Sequence, residues 1–109
     1  MSKTSGTILV LTNLPDLASA ENMAQHLVAE KLAACVNILA PCTSIYRWQG
    51  KTENTTEIPL LIKTTEQRYE AIEALIHEMH PYELPEIIHV SVGGGLPAYI
   101  QWIQQETLA

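Results

Sequence analysis

One short segment near the start of the chain carries apolar side chains at both odd and even positions. The segment is Thr7–Thr12, and its centre is Ile8-Leu9-Val10-Leu11. Because successive side chains of a strand point to opposite faces of a sheet, this segment predicts a strand that is covered on both faces. A chain of 109 residues is one domain by length, and two helices can cover only one of those faces. We therefore expect a second copy of the chain to cover the other face.

Helix and strand periodicities alternate along the rest of the chain. The predicted helices run from Leu17 to about Ala34, from a capping box at Thr64 and Gln67 to His80, and onward from Leu96-Pro97. The later predicted strands are Cys35–Leu39, Ser44–Trp48, Thr55–Thr64, which carries Ile58, Leu60 and Ile62 on one face, and Glu86–Val92. This order is the split βαβ pattern. The sequence therefore predicts an α+β, ferredoxin-like sandwich, with helices on one face of an antiparallel sheet and an additional C-terminal helix.

The composition narrows the class of protein. With 47% hydrophobic and 17% charged residues, the chain has the composition of a globular domain. We expect one domain over residues 1–109, with a flexible N-terminus over residues 1–6. The net charge of −6 argues against nucleic acid or an anionic membrane surface as a partner, since both require a basic patch. No apolar stretch has the length of a membrane span or of a secretory signal, so we expect a cytoplasmic protein.

The two cysteines, Cys35 and Cys42, lie in a segment that is predicted to be extended. Seven residues of strand separate two Cα atoms by up to about 23 Å. That separation is too large for a disulfide unless Pro41 bends the segment sharply. We therefore expect both cysteines to be free thiols that pack as small apolar residues.

The most distinctive stretch is His80-Pro81-Tyr82-Glu83-Leu84-Pro85. Proline cannot continue a helix, so the second helix ends at His80 and a turn follows. At about 100° per residue, His80 falls within roughly 40° of the apolar Ile76, whereas His77 falls toward the flank. We expect His80 to be partly buried, to have one ring nitrogen held by a carboxylate or a carbonyl, and to keep the other nitrogen for a metal.

Four motifs together resemble the CutA divalent-cation-tolerance family. The motifs are Lys31–Ile38, Ser44–Lys51, Lys63-Thr64 and His80–Pro85, in that order along the chain. The resemblance implies a cytoplasmic, ferredoxin-like homotrimer in which strands pair between subunits. It also implies a link to copper and other divalent metals, and a likeness in fold to the PII signalling proteins.

The resemblance also implies candidate metal ligands. Some members of the family place a Cys at the end of the first strand and a His-His pair before the proline, where this chain has Thr12 and Met79-His80. Only His80 matches that pattern. His80 alone would bind a metal weakly unless His77, which lies three residues before it on the helix, Glu83 or a neighbouring chain joins it. The predicted ligands of Cu(II) or another divalent cation are thus His80, His77 and Glu83, and no metal is expected to be obligatory.

A second set of residues predicts a pocket at a subunit interface. Its members are aromatic or charged residues on the proline-rich turn and on the hairpin that the strands Ser44–Trp48 and Thr55–Thr64 are predicted to form. They are Tyr46, Trp48, Glu57, Lys63 and Tyr82. They would provide aromatic walls and a few polar anchors for a small ligand. The alternative is that the aromatic rings pack the trimer and the charges pair with each other.

The chemistry of an enzyme is not visible in the sequence. It contains no Ser-His-Asp arrangement, and neither Cys has an adjacent His or Lys. We therefore expect a protein that is not an enzyme. Three classes remain open: a metal-response protein, a PII-like small-molecule sensor, and a structural scaffold trimer.

Overall fold

The structure is a computed structural model that describes residues 6–108. It contains five strands and three helices within that range, with a single 3-10 turn at Glu66–Arg68 before the second helix. In chain order they are β1 (Thr7–Leu14), α1 (Leu17–Ala29), β2 (Cys35–Ile38), β3 (Cys42–Trp48), β4 (Lys51–Thr65), α2 (Tyr69–Met79), β5 (Ile88–Ser91) and α3 (Pro97–Glu106).

All strand pairs are antiparallel, and the main sheet has the order β2-β4-β1-β5. The central strand β1 pairs with β4 from Thr7 opposite Thr65 to Leu14 opposite Ile58. On its other side β1 pairs with β5, Ile8 lying opposite Ser91. This topology confirms the predicted α+β, ferredoxin-like sandwich with an additional C-terminal helix.

The hydrophobic core lies between one face of this sheet and the helices α1 and α2. Alternate residues of β1 and β4 point into it, and so do single residues spaced along both helices. Its fully buried members include Ile8, Val10, Leu27, Leu60, Ile62, Ile72 and Ile76. The prediction that Ile58, Leu60 and Ile62 share one face of their strand is confirmed, since all three are buried in this core.

The opposite side of the sheet, called here the second face, is only partly covered. The C-terminal helix α3 contacts β1 and β4 there, with the Tyr99 ring 5.8 Å from Nζ of Lys63. Elsewhere on this face Ile88 and Val90 remain 52% and 48% exposed. The expectation that no part of the chain covers this face was therefore wrong at the end where α3 packs.

Beyond the main sheet, β3 and the first half of β4 form a two-stranded arm, Cys42–Glu57. Its tip is the turn at Gln49-Gly50, where both residues have positive φ angles of 51° and 81°. Positive φ at both central residues is typical of a type I′ turn, whose twist matches that of the flanking strands. The arm helps to give the molecule an elongated shape of 45 × 25 × 24 Å.

The first helix is shorter than predicted. It ends at Ala29, and Lys31 adopts a left-handed conformation with φ 61°. The next residues, Leu32, Ala33 and Ala34, are buried. Their apolar character extended the helical pattern in the sequence, although they pack into the core from a turn rather than from a helix.

The predicted capping box at Thr64 and Gln67 was also wrong. Thr64 lies inside β4, and its hydroxyl donates a hydrogen bond of 2.6 Å to the carbonyl of Leu32. The hydroxyl therefore ties β4 to the turn that follows α1. The 3-10 turn begins at Glu66 and receives no side-chain cap from Thr65.

The N-terminal prediction can be compared with the structure at one residue. Residues 1–5 of the predicted flexible segment lie outside the described residues. Gly6 is held, since its carbonyl accepts a 2.7 Å hydrogen bond from the amide of Glu66.

The structure also bears on the predictions for the cysteines and for membrane spans. Cys35 and Cys42 are both free thiols, as predicted. They lie opposite Lys63 and Glu57 of β4, which are about 20 Å apart along that strand. Within residues 6–108, no helix is long and apolar enough to cross a membrane.

Candidate functional site

The imidazole of His80 lies at the end of α2 and is only 7% exposed. Its Nε2 atom lies 2.6 Å from the carbonyl oxygen of Asn13, and its Nδ1 atom lies 3.1 Å from the amide nitrogen of Tyr82. A carbonyl can only accept and an amide N–H can only donate, so these partners assign the neutral tautomer with the proton on Nε2. We call this arrangement of His80, Asn13 and Tyr82 the His80 latch.

The latch bears directly on the predicted metal site. One ring nitrogen was expected to remain available, but both are engaged, and the partners are backbone groups rather than Glu83. His77 is exposed, as predicted from its helical phase. Among the residues that the structure describes, no group of three or more His, Cys, Asp and Glu side chains could hold a metal ion. A single chain therefore does not present a ready site for Cu(II), and the assignment of His80, His77 and Glu83 as ligands stays a prediction.

Thr12, which stands where some family members have a thiol, points into the core. It is 1% exposed, and its hydroxyl has no hydrogen-bond partner in the described part of the chain. The side chain at this position is therefore not offered to a ligand at the surface.

An open cleft of about 860 Å³ lies between the arm and the turn that follows α2. It is lined by Asn13, residues 44–48, Thr55, Glu57, residues 81–84 and Glu86. Four of the five residues predicted to form a pocket line it together: Tyr46, Trp48, Glu57 and Tyr82. Lys63 does not line it and instead lies near the Tyr99 ring, on the second face.

A buried carboxylate forms one wall of the cleft. Glu57 is only 7% exposed, and the phenol of Tyr82 donates a hydrogen bond to it. Burial raises the pKa of Tyr82 to about 12, and the hydrogen bond to Glu57 and its negative charge add to the effect. The phenol is therefore a neutral donor throughout the physiological pH range.

The His80 latch holds Tyr82 in this position. The Tyr82 amide donates to Nδ1 of His80, and the two rings pack with their centroids 4.7 Å apart. Since Tyr82 in turn donates to Glu57, the latch connects the end of α2 to the arm. His80 thus acts on the cleft through Tyr82, and not as a lining residue itself.

The same wall also carries two aromatic side chains, because Tyr46, Trp48 and Glu57 share one face of the arm. Tyr46 and Trp48 are 42% and 36% exposed, and the hydroxyl of Tyr46 is within 2.9 Å of the Thr55 hydroxyl. Because residues two apart on a strand share a face, the sequence could predict that these two rings lie together.

Two polar lining residues were not predicted from the sequence. The side-chain amide of Asn13 donates a 2.9 Å hydrogen bond to the carboxylate of Glu86. These residues are 73 positions apart in the chain. No local pattern marks such a pair, since only the position of the last strand beside β1 brings it together.

The fold and the cleft define the class: a ferredoxin-like α+β protein with a cavity of the size that small-molecule sites occupy. The family of the CutA1 divalent ion tolerance protein matches residues 8–106. The chain belongs to this family.

Individual relatives agree with that assignment. The chain is 40% identical over 104 residues to the divalent-cation tolerance protein CutA of Yersinia pestis, covering 95% of this chain and 87% of the relative. The crystal structure of CutA from Xylella fastidiosa is 48% identical, with a TM-score of 0.91 over 94% of this chain and 99% of that one. The periplasmic divalent cation tolerance protein CutA from Archaeoglobus fulgidus is 32% identical, with a TM-score of 0.91 over 94% of this chain and 99% of that one.

Proposed function

We propose that this protein is a single-domain, cytoplasmic homotrimer that contributes to tolerance of divalent cations, copper among them, and that it catalyses no reaction. The observation that carries the proposal is family membership over residues 8–106, together with relatives that are named for divalent-cation tolerance. The assembly is inferred from the surfaces of the chain, and the mode of metal binding from the surroundings of His80.

Two surfaces support a trimer. The second face leaves Ile88 and Val90 about half exposed on β5. The outer edge of β3 has no partner strand within residues 6–108, because β3 pairs only with β4. An unpaired strand edge and an exposed apolar face are both usual places for chains to associate. A closed ring of three chains would cover both features without leaving an open end.

Direct binding of Cu(II) by His80, with His77 and Glu83, is the finer part of the proposal. Within one chain the latch occupies both nitrogens of His80. Binding there requires the latch to open or a second chain to supply ligands. We therefore expect weak binding, with a Kd of about 1 μM or higher for Cu(II) and weaker still for Zn(II).

The tolerance function can be tested in a bacterium that lacks its own gene of this family. Expression of this chain should restore growth at an elevated Cu(II) concentration, and native mass spectrometry of the purified protein should show three chains. Unrestored growth would contradict the tolerance function, and a monomer or a dimer would contradict the proposed assembly.

The role of His80 is tested by calorimetry with Cu(II) on the wild type, His80→Ala and His26→Ala. His26 is the control because it is an exposed imidazole on α1, away from the latch. We expect binding to weaken in His80→Ala alone and to weaken at lower pH as imidazoles become protonated. If His80→Ala remains trimeric and binds Cu(II) like the wild type, His80 has only a structural role.

A second candidate function, small-molecule sensing of the PII-like kind, is favoured by the cleft. The cleft combines two exposed aromatic rings with a buried carboxylate, which is the usual composition of a ligand site. A scaffold trimer with neither activity is the remaining alternative. Thermal shift measurements against metals and metabolites separate the three, since a scaffold responds to neither.

A further inference from the structure

The residues that line the cleft favour one class of small molecule, and a role in tolerance of divalent cations does not account for that preference. We propose that the cleft binds a small organic cation with a flat apolar body, such as an aromatic amine or amidine. The inference rests on the second candidate function, small-molecule sensing, and does not depend on metal binding.

The first observation is the charge of the lining. Three carboxylates line the cleft, those of Glu57, Glu83 and Glu86, against one guanidinium, that of Arg47. The hydrogen-bond partner of Glu86 is the neutral amide of Asn13, so its charge is not compensated by that contact. A negative lining attracts cations and repels nucleotides and other phosphates.

The second observation is the state of Glu57. The residue as a whole is only 7% exposed, and the phenol of Tyr82 provides one donor to its carboxylate. A carboxylate can accept about four hydrogen bonds. An amidinium or ammonium group would provide further donors and a compensating charge, and hydrogen bonds between charged groups are stronger than those between neutral ones.

The third observation is the aromatic wall. Tyr46 and Trp48 share one face of the arm and keep much of their ring surface exposed. Aromatic faces bind both flat apolar groups and cations, because the ring face is the negative end of its quadrupole. A ligand that carries both a flat body and a positive charge can therefore contact these rings and the Glu57 carboxylate, which share one face of the arm.

A bare divalent metal ion does not fit the same cleft. Such an ion needs several oxygen or nitrogen ligands converging at short distance. Across residues 6–108, no three acidic, His or Cys side chains converge in that way. The carboxylates are spread around the cleft, as suits a larger organic ion whose charge and body make separate contacts.

The test uses three probes of nearly the same shape: benzamidine (cationic), benzamide (neutral) and benzoate (anionic). The protein carries Trp102→Phe, which leaves Trp48 as the only tryptophan, so that its fluorescence reports on the cleft. We expect saturable binding of benzamidine with a Kd of about 1 mM or lower, benzamide at least about tenfold weaker, and no binding of benzoate.

Two variants identify the charge that selects the cation. Glu57→Gln should weaken benzamidine binding by about tenfold to a hundredfold and leave benzamide binding unchanged. The matched control is Glu30→Gln, which removes the same charge from an exposed position at the end of α1 that does not line the cleft. This control should bind benzamidine like the wild type.

A further variant keeps the test valid if Glu57→Gln does not fold. Tyr46→Ala truncates a 42% exposed ring on the arm, and should weaken benzamidine and benzamide by the same factor. Equal binding of benzamidine and benzamide, or unchanged benzamidine binding in Glu57→Gln, would overturn the proposal. Binding of an anionic or neutral metabolite in place of benzamidine would also overturn it, while leaving the sensor function standing.

Discussion

At the scale of single residues, two buried threonines that look alike in the sequence have opposite surroundings. Thr12 and Thr64 are 1% and 0% exposed. The hydroxyl of Thr64 donates to the Leu32 carbonyl, whereas that of Thr12 has no partner among residues 6–108. A buried hydroxyl without a partner opposes folding, and one with a short hydrogen bond supports it.

Substitution by valine should therefore have opposite effects at these two positions. We expect Thr12→Val to raise the free energy of unfolding by about 1 kcal/mol and Thr64→Val to lower it by about 1–2 kcal/mol. Urea unfolding at one fixed protein concentration measures both, with unchanged m-values. The same direction of change in both variants would contradict this account.

Tyr82 links the stability of the fold to alkaline pH. Folding raises its pKa from the ordinary value of 10.0 to about 12, first by burial and then by the hydrogen bond to Glu57 and its charge. A group whose pKa is raised on folding contributes its full stabilisation below its unfolded pKa, and loses it as the pH rises through the folded pKa. Tyr82 is therefore a source of stability that is present at neutral pH and is lost at high pH.

We expect the wild type to lose its stability advantage over Tyr82→Phe between about pH 10 and pH 12, because the Tyr82 phenol ionises more readily in the unfolded than in the folded protein. Urea unfolding of both proteins at a series of pH values measures the difference. A difference that stays constant across this range would show that the Tyr82 phenol is not buried against Glu57 as described.

The burial of His80 was predictable from its helical phase, but its hydrogen-bond partners were not. The phase placed the ring on the apolar side of α2, where it lies. The partners are backbone groups of Asn13 and Tyr82, and the Asn13 carbonyl is 67 residues away. Every residue has a backbone carbonyl, whatever its side chain is. The sequence therefore does not indicate which carbonyl the His80 ring will contact.

At the scale of secondary-structure elements, the arm depends on its two-residue turn. Gly50 has a φ of 81°, and a Cβ atom added there would have no neighbour within 4 Å. The constraint at this position is therefore purely one of backbone conformation, which disfavours side chains by about 1–2 kcal/mol in the left-handed region.

We expect Gly50→Ala to lower the free energy of unfolding by about 1 kcal/mol. Gly93→Ala is the matched control, because its surroundings are equally open but its φ is not positive. That substitution should be neutral or slightly stabilising, since it restricts only the unfolded chain. Thermal unfolding of both variants would measure the effect, and equal effects would show that the turn conformation is not the cause.

The positions of elements were predicted better than their ends. The order of strands and helices follows from periodicity, which extends over many residues. The ends of α1 and α2 depend on single interactions that compete with local signals. Leu32, Ala33 and Ala34 continue an apolar pattern but are buried from a turn, and Thr64 is used inside a strand although it suits a cap.

Only part of the cleft was predicted, because a local sequence pattern shows which face of a strand a residue occupies but not what lies beside that face. Tyr46 and Trp48 share strand parity, which the sequence displays. Lys63 shares the parity of Glu57 but lies six residues further along β4, on the second face beside α3. Parity identifies the face of a strand, and only the complete topology identifies which part of that face borders a cavity.

At the scale of the whole molecule, the apolar surface that a single chain leaves exposed should make stability depend on concentration. Covering the second face and the outer edge of β3 in a trimer removes apolar area from water, at about 25 cal/mol per Å². Unfolding that is coupled to dissociation moves to higher temperature as the protein concentration rises.

We therefore expect the melting midpoint to rise over a hundredfold increase in protein concentration, provided that unfolding is reversible. Differential scanning calorimetry at both extremes measures it, with rescans to establish reversibility. A midpoint near that of an ordinary small domain and independent of concentration would indicate a chain that is stable alone, contrary to the proposed trimer.

The central position of β1 has a consequence for synthesis on the ribosome. β1 precedes both of its neighbours in the chain, since β4 ends at Thr65 and β5 at Ser91. At about 5–20 residues per second, β1 waits several seconds for the first of them and longer for the second. During that interval an apolar strand with two open edges is exposed to other nascent chains. The strand that organises the finished sheet is therefore the segment that most needs chaperone protection while the chain is being made.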